Sequence, residues 1–130
     1  EVITAAAGRG IRDTVEVNYD LPFSMGNTLA KRDGLHRVVV DELSIDAWYE
    51  RHKDAVSTPL FLVKIDVEGA ERDVVEGGME CLTAADYILL EIHSPRDREL
   101  SARFGATHQV LSDKKKSDDF SVCVLKKKGR

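Results

Sequence analysis

Two short segments contain residue types and spacings that could do chemistry, and each follows an apolar run. The first is Lys64-Ile65-Asp66-Val67-Glu68-Gly69-Ala70-Glu71, which brings two carboxylates to the carboxyl end of a predicted buried strand. Side chains alternate along a strand with a period of two, so Asp66 and Glu68 are expected on the same face. These carboxylates could orient a polar ligand, hold a cation or accept a proton. Alternatively, they cap the following helix and favour its dipole.

The second segment is Leu90-Glu91-Ile92-His93, at the end of the next apolar strand. Glu91 and His93 share a face of that strand. Histidine exchanges protons near neutral pH, which suits a general base. The alternative is a partly buried histidine that hydrogen-bonds the backbone. The neighbouring strand is expected to bring Asp66 and Glu68 close to His93, and both interpretations stay open at this point.

The elements that must position these residues follow from hydrophobic periodicity and from capping residues. One helix is expected after Ser44, which can cap it, and another after Ser94-Pro95. A third has an apolar stripe of Val74, Val75, Gly78 and Leu82, with charged residues such as Glu71 on its other faces. The stretch Pro22 to Gly34 is predicted to be a loop, and Pro59 ends the connection that follows the first helix. The predicted strands are Val2–Ala7, Thr14–Asn18, His36–Val40, Leu60–Val67, Tyr87–Ile92, His108–Ser112 and Phe120–Leu125.

Alternation of these strands and helices predicts an α/β fold. Strands that are apolar throughout are usually covered on both faces, as in parallel sheets. The order indicates a doubly wound sheet whose last strand is antiparallel. Ligands bind at the carboxyl ends of the strands in such sheets, where both polar segments lie.

Length and composition exclude several classes of protein. The chain has 130 residues, 42% of them hydrophobic, and a formal net charge of −4. This predicts a single domain, excludes intrinsic disorder and argues against a nucleic-acid partner. No apolar run is long enough for a membrane helix, and the N-terminus lacks the pattern of an export signal, so a cytoplasmic location is expected. Cys81 and Cys123 are expected to be buried thiols, and no metal site is predicted.

Four blocks of the chain resemble the FkbM family of S-adenosylmethionine-dependent methyltransferases. They are Val39–Trp48, Lys64–Glu71, Val75–Gly78 and Ile88–His93, and the Lys64–Glu71 block is the most specific. The resemblance implies a class I methyltransferase fold, which is Rossmann-like, with S-adenosylmethionine as cofactor. It also implies methyl transfer to a hydroxyl oxygen of a small-molecule or carbohydrate acceptor, such as a sugar or natural product.

The resemblance also suggests roles for individual residues. Asp66, His93 and Glu68 are expected to be catalytic, and Asp66 and Glu91 to contact the cofactor. Residues 1–130 resemble the later half of such a domain, without the N-terminal strand and Gly-rich loop that hold the cofactor. The chain by itself is therefore expected to bind S-adenosylmethionine weakly or not at all. The competing hypothesis is a noncatalytic α/β interaction module that has lost cofactor binding.

Overall fold

Strands and short helices alternate along the residues that the computed structural model describes, which are 4–19, 36–54 and 60–129. The predicted loop Pro22–Gly34 lies outside these residues, as do Val2 and Pro59. None of the helices described is long and apolar enough to cross a membrane. The helices are α1 (Ile45–His52), α2 (Glu71–Glu76), α3 (Met79–Ala84) and a 3₁₀ helix (Pro95–Phe104). The strands are β1 (Ala6–Gly8), β2 (Thr14–Tyr19), β3 (His36–Ser44), β4 (Leu62–Ile65), β5 (Tyr87–Ile92), β6 (His108–Lys115) and β7 (Ser121–Lys127).

The first of two sheets has the strand order β1-β3-β2. β1 runs parallel to β3, whereas β2 and β3 are antiparallel, with Thr14 opposite Asp41 and Tyr19 opposite His36. β3 continues to Ser44, four residues beyond the predicted end at Val40. The Ser44 side chain then accepts a hydrogen bond from the Ala47 amide at 3.0 Å, which confirms the predicted cap of α1.

The second sheet has the order β4-β5-β7-β6 and holds both polar segments. β4 and β5 are parallel, and Ile65 pairs with Leu90. β7 is antiparallel to β5 and to β6. The mixed α/β class and the antiparallel last strand are therefore confirmed. The doubly wound, Rossmann-like arrangement is not confirmed by these two sheets and stays a prediction.

The core lies on one face of the second sheet. Along β5, Ile88, Leu90 and Ile92 are buried, whereas Tyr87, Leu89 and Glu91 are only half-buried. The expectation that this strand is covered on both faces is therefore wrong for the described residues, because the helices pack against one face. Burying one large apolar side chain contributes about 1.5–3 kcal/mol to the stability of the fold. Because residues near the ends of β4 and β5 are among those buried, this packing holds the strand ends in place. The core includes Ile65, Val74, Val75, Leu82, Leu100, Phe104, Cys123 and Leu125, and both cysteines are free and buried, as predicted.

The helix expected over Val74 to Leu82 is in fact two helices, separated by Gly77 and Gly78. A Cβ atom on Gly77 would lie 1.9 Å from the carbonyl oxygen of Gly8, so the chain segments pass closer than any side chain permits. The Gly77 carbonyl accepts a hydrogen bond from the Asp46 amide at 2.9 Å. The Asp46 carboxylate in turn accepts from the Cys81 amide near the start of α3. The break thus joins α1 and β1 to the second sheet's helices.

The helix expected after Ser94 is present, although its geometry is 3₁₀ rather than α. Ser94 accepts a hydrogen bond from the Arg96 amide at 3.3 Å and Pro95 occupies the first turn, as the sequence predicts. Leu100 and Phe104 are fully buried against the sheet. This helix therefore packs on the core face of the second sheet.

Candidate functional site

The carboxyl ends of β4 and β5 bring together three of the four predicted site residues. Asp66 directly follows β4, Glu91 lies in β5, and His93 directly follows β5. One oxygen or nitrogen atom from each of the three lies within 4.8 Å of the others. Because the two strands are parallel neighbours, the expected proximity of Asp66 and His93 is observed. We refer to Asp66, Glu91 and His93 as the strand-end cluster.

Lys64 joins two members of the cluster. Its Nζ lies 2.9 Å from Oδ2 of Asp66 and 3.1 Å from Oε1 of Glu91. The hydrogen bond to Asp66, followed by that to Glu91, raises the pKa of Lys64 above its usual value. No role was expected for Lys64 from the sequence, although its spacing from Asp66 indicates the contact. Lys64 and Asp66 are two residues apart and so share a face of the strand.

Glu71 fixes the orientation of His93. Its Oε1 lies 2.7 Å from Nδ1 of His93 and accepts a hydrogen bond from the Gly69 amide at 2.9 Å. A carboxylate accepts hydrogen bonds, so this contact favours a proton on Nδ1 and leaves the lone pair of a neutral imidazole on Nε2. Glu71 was expected on a helix face away from the apolar stripe, yet it is fully buried, at 0% exposure. It lies in the first turn of α2, where the turn after β4 directs it toward the end of β5.

Glu68 also lies beside His93, but it does not continue β4 as expected. The strand ends at Ile65, so the period of two does not extend to Glu68. Instead the backbone turns there, with φ of 49° at Glu68 and 101° at Gly69. The left-handed region is strained for a residue other than glycine. Oε1 of Glu68 nevertheless comes within 3.6 Å of Nε2 of His93.

An aromatic ring completes the surroundings of His93. The Phe120 ring stacks on the imidazole, with 5.1 Å between ring centroids and 18° between planes. Phe120 directly precedes β7 and is half-buried. From the sequence, Phe120 was expected only as the first residue of a strand, because no local pattern indicates which residue lies opposite it in the sheet. His93 is thus held by a carboxylate at Nδ1 and by an apolar ring against one face.

Two cavities lie elsewhere among the described residues. A cavity of about 210 Å³ is apolar and is lined by Ala5, Ala7, Leu43, Ile45 and Trp48. Trp48 is half-buried here and stacks on His52. A second cavity of about 230 Å³ lies between the 3₁₀ helix and the β6–β7 hairpin, and Ile92, Arg98, Asp113, Lys115 and Ser121 line it. None of the residues that line this second cavity belongs to the strand-end cluster.

Comparison with known proteins identifies the family. The family model described as the methyltransferase FkbM domain matches residues 12–119, which is most of the chain. The chain belongs to the FkbM methyltransferase family. No curated protein and no solved structure matches it. Membership in the FkbM family indicates methyl transfer as the general activity, and it does not favour the noncatalytic interaction module.

Proposed function

We propose that this FkbM domain transfers a methyl group from S-adenosylmethionine to a hydroxyl oxygen of a small-molecule or carbohydrate acceptor, with His93 as the proton acceptor. The observation that carries this proposal is the contact between His93 and the buried Glu71. With Nδ1 held at 2.7 Å by a carboxylate, the neutral imidazole presents Nε2 as a base. The same contact stabilises the imidazolium that forms when Nε2 takes a proton.

The residues at the strand ends fit the cofactor that the family typically uses. S-adenosylmethionine supplies an electrophilic methyl group on a positively charged sulfur, and it carries an ammonium group and two ribose hydroxyls. Asp66 and Glu91 offer carboxylate oxygens, which accept hydrogen bonds from such groups. Their side chains are 37% and 21% exposed, so they can reach a ligand without unfolding the strand ends. The proposal therefore includes contacts from Asp66 and Glu91 to the cofactor.

In the proposed reaction, the acceptor's hydroxyl oxygen attacks the methyl carbon while His93 takes the hydroxyl proton. S-adenosylmethionine, when bound, would supply the methyl group and keep the electron pair of its carbon–sulfur bond, and Nε2 of His93 would accept the hydroxyl proton. Glu68 lies 3.6 Å from Nε2 and can orient the acceptor hydroxyl or the imidazolium. Phe120 keeps the imidazole plane fixed and shields one face of it from water. Most of the rate enhancement comes from holding the hydroxyl oxygen and the methyl group in line. Proton acceptance by a base increases the rate by about 10²- to 10⁴-fold.

The test is single-turnover transfer of labelled methyl from S-adenosylmethionine to a panel of sugars and polyhydroxylated small molecules, using the full-length gene product. We expect His93→Ala and Asp66→Asn to lower the rate by at least about tenfold. The thermal midpoint should stay nearly unchanged in Asp66→Asn, whereas His93→Ala should lower it because the buried Glu71 carboxylate loses a hydrogen-bond partner. Rates are therefore compared at a temperature at which every variant is folded. His36→Ala is the matched control, because His36 is exposed on the first sheet. Unchanged rates in both cluster variants would refute the catalytic assignment. In Asp66→Asn, a lowered midpoint with a proportional loss of rate would indicate a structural role instead.

A further inference from the structure

The strand-end cluster combines donor types that suit a metal ion. Asp66 and Glu91 offer carboxylate oxygens and His93 offers an imidazole nitrogen, all within 4.8 Å of one another. Carboxylates suit Mn²⁺ and imidazole suits first-row transition metals in general. We propose that Asp66, Glu91 and His93 form a binding site for a divalent first-row cation such as Mn²⁺, and that the ammonium of Lys64 competes with the cation for it.

The three donor atoms must move closer together for an ion to bind. Around one ion at a bond length of about 2.1 Å, neighbouring donors in octahedral geometry lie about 3.0 Å apart and opposite donors about 4.2 Å apart. Donor atoms up to 4.8 Å from one another therefore have to approach by up to about 1.8 Å. The side chains lie at the ends of two hydrogen-bonded strands, and we expect rotation of the side chains to supply this closure.

A buried carboxylate behind the cluster supports the proposal independently. Glu71 is 0% exposed and its Oε1 is directed at Nδ1 of His93, 2.7 Å away. A carboxylate hydrogen-bonded to the far nitrogen of a ligating histidine is the usual arrangement behind protein metal sites, because it orients the ring and raises its basicity. The other oxygen, Oε2, is buried and has no hydrogen-bond partner within the described part of the chain. Its negative charge is compensated when a dication binds the histidine.

Lys64 now neutralises part of the same charge. Its ammonium contacts Asp66 and Glu91, which are the two oxygen donors of the proposed site. The Lys64 side chain is 49% exposed, so it can swing into water when a dication takes its place. Occupation by the lysine and by the metal therefore exclude each other, and the lysine sets how tightly the ion binds.

The cation also affects the proposed base. A metal bound to Nε2 of His93 uses the lone pair that would accept the acceptor proton, so bound cation should inhibit methyl transfer. This consequence rests on the proposed function, whereas binding itself does not. Binding is measured without turnover, so a failure of the methyl-transfer proposal would leave the cation result standing.

The experiment is a titration of the 130-residue chain with MnCl₂, following free Mn²⁺ by electron paramagnetic resonance. We expect Lys64→Met to lower the Kd for Mn²⁺ by about tenfold or more, because it removes a competing positive charge about 3 Å from both carboxylates. Lys115→Met is the matched control. It removes the same charge from another lysine paired with an acid, Asp118, at 2.6 Å, and it should change the Kd by less than about twofold.

A second substitution locates the ion. Combining Lys64→Met with His93→Gln should return the Kd to the wild-type value or weaker, since it removes the nitrogen ligand. The proposal is overturned if Lys64→Met binds no more tightly than wild type, or if the double variant binds as tightly as Lys64→Met. Circular dichroism confirms folding of each variant, and Lys64→Gln replaces Lys64→Met if the apolar side chain prevents folding.

Discussion

Replacing Glu71 with alanine removes the acceptor of two hydrogen bonds at the centre of the site. The bond to His93 joins a charged acceptor to a side chain that is only 20% exposed, and such a bond contributes about 1.5–3 kcal/mol. The bond to the Gly69 amide contributes about 1 kcal/mol, because Gly69 is exposed and water can replace the acceptor. We therefore predict that Glu71→Ala lowers the free energy of unfolding by about 2.5–4 kcal/mol. For a chain of this length, that loss lowers the thermal midpoint by about 10–16 °C.

Glu71→Gln separates the charge of this residue from its shape. The amide keeps an acceptor oxygen for Gly69 and His93 but places an N–H₂ group in a fully buried position. We expect a smaller loss of about 1–2 kcal/mol. Glu99→Ala is the control, because Glu99 pairs with Arg72 at 2.6 Å but is 59% exposed. An exposed pair of this kind is screened by water, so its removal should leave the urea midpoint nearly unchanged.

Urea denaturation of the three variants measures these differences. Long-range ¹⁵N–¹H spectra of the histidine rings report whether the His93 proton lies on Nδ1, and Glu71→Ala should reduce that population while Glu71→Gln largely keeps it. A stability loss below about 0.5 kcal/mol in Glu71→Ala, or a His93 signal unchanged by it, would refute the assigned contact.

Three further predictions concern the elements around the site. Gly77→Ala should destabilise the fold by at least about 2 kcal/mol in urea denaturation, because its Cβ would meet the Gly8 carbonyl at 1.9 Å, whereas Gly105→Ala should change stability by less than about 1 kcal/mol. Glu68→Gly should be more stable than Glu68→Ala by about 1 kcal/mol in thermal melts, since φ is 49° there, and equal midpoints would contradict the strain. Burial raises the pKa of the Cys81 thiol to about 11, so iodoacetamide should alkylate it on the order of 100-fold more slowly than a free thiol at pH 8.5. The Cys81 thiol of the unfolded chain ionises at a lower pH than that of the folded chain. The free energy of unfolding should therefore fall as the pH rises above 9.

The sequence was sufficient to predict which strand ends meet, but not how the site is held together. Asp66 and His93 come together because two continuous apolar runs form neighbouring parallel strands. Glu71 was misplaced because helical periodicity assigns a face over several turns, while α2 has only six residues. Its orientation depends on the turn through Glu68 and Gly69. Positive φ at Gly69 could be guessed from the residue type, whereas positive φ at Glu68 could not.

The broken helix illustrates a second kind of information that local patterns lack. Val74, Val75 and Leu82 do lie in the core, so the apolar stripe was assigned correctly. The break at Gly77 arises from the approach of Gly8, which is far away in the sequence. Periodicity describes which face of an element is buried, but a close contact between two backbones is set by tertiary packing.

Glu71 couples the position of the turn after β4 to the position of His93 after β5. Its Oε1 accepts from the Gly69 amide in the turn and contacts His93 beyond β5, so one buried atom joins the two segments. A shift of the turn that carries Asp66 and Glu68 must therefore lengthen one of these hydrogen bonds or move the imidazole with it. Since Nε2 is the atom proposed to take either a proton or a metal ion, changes in this turn reach the chemistry through Glu71 without touching His93 directly.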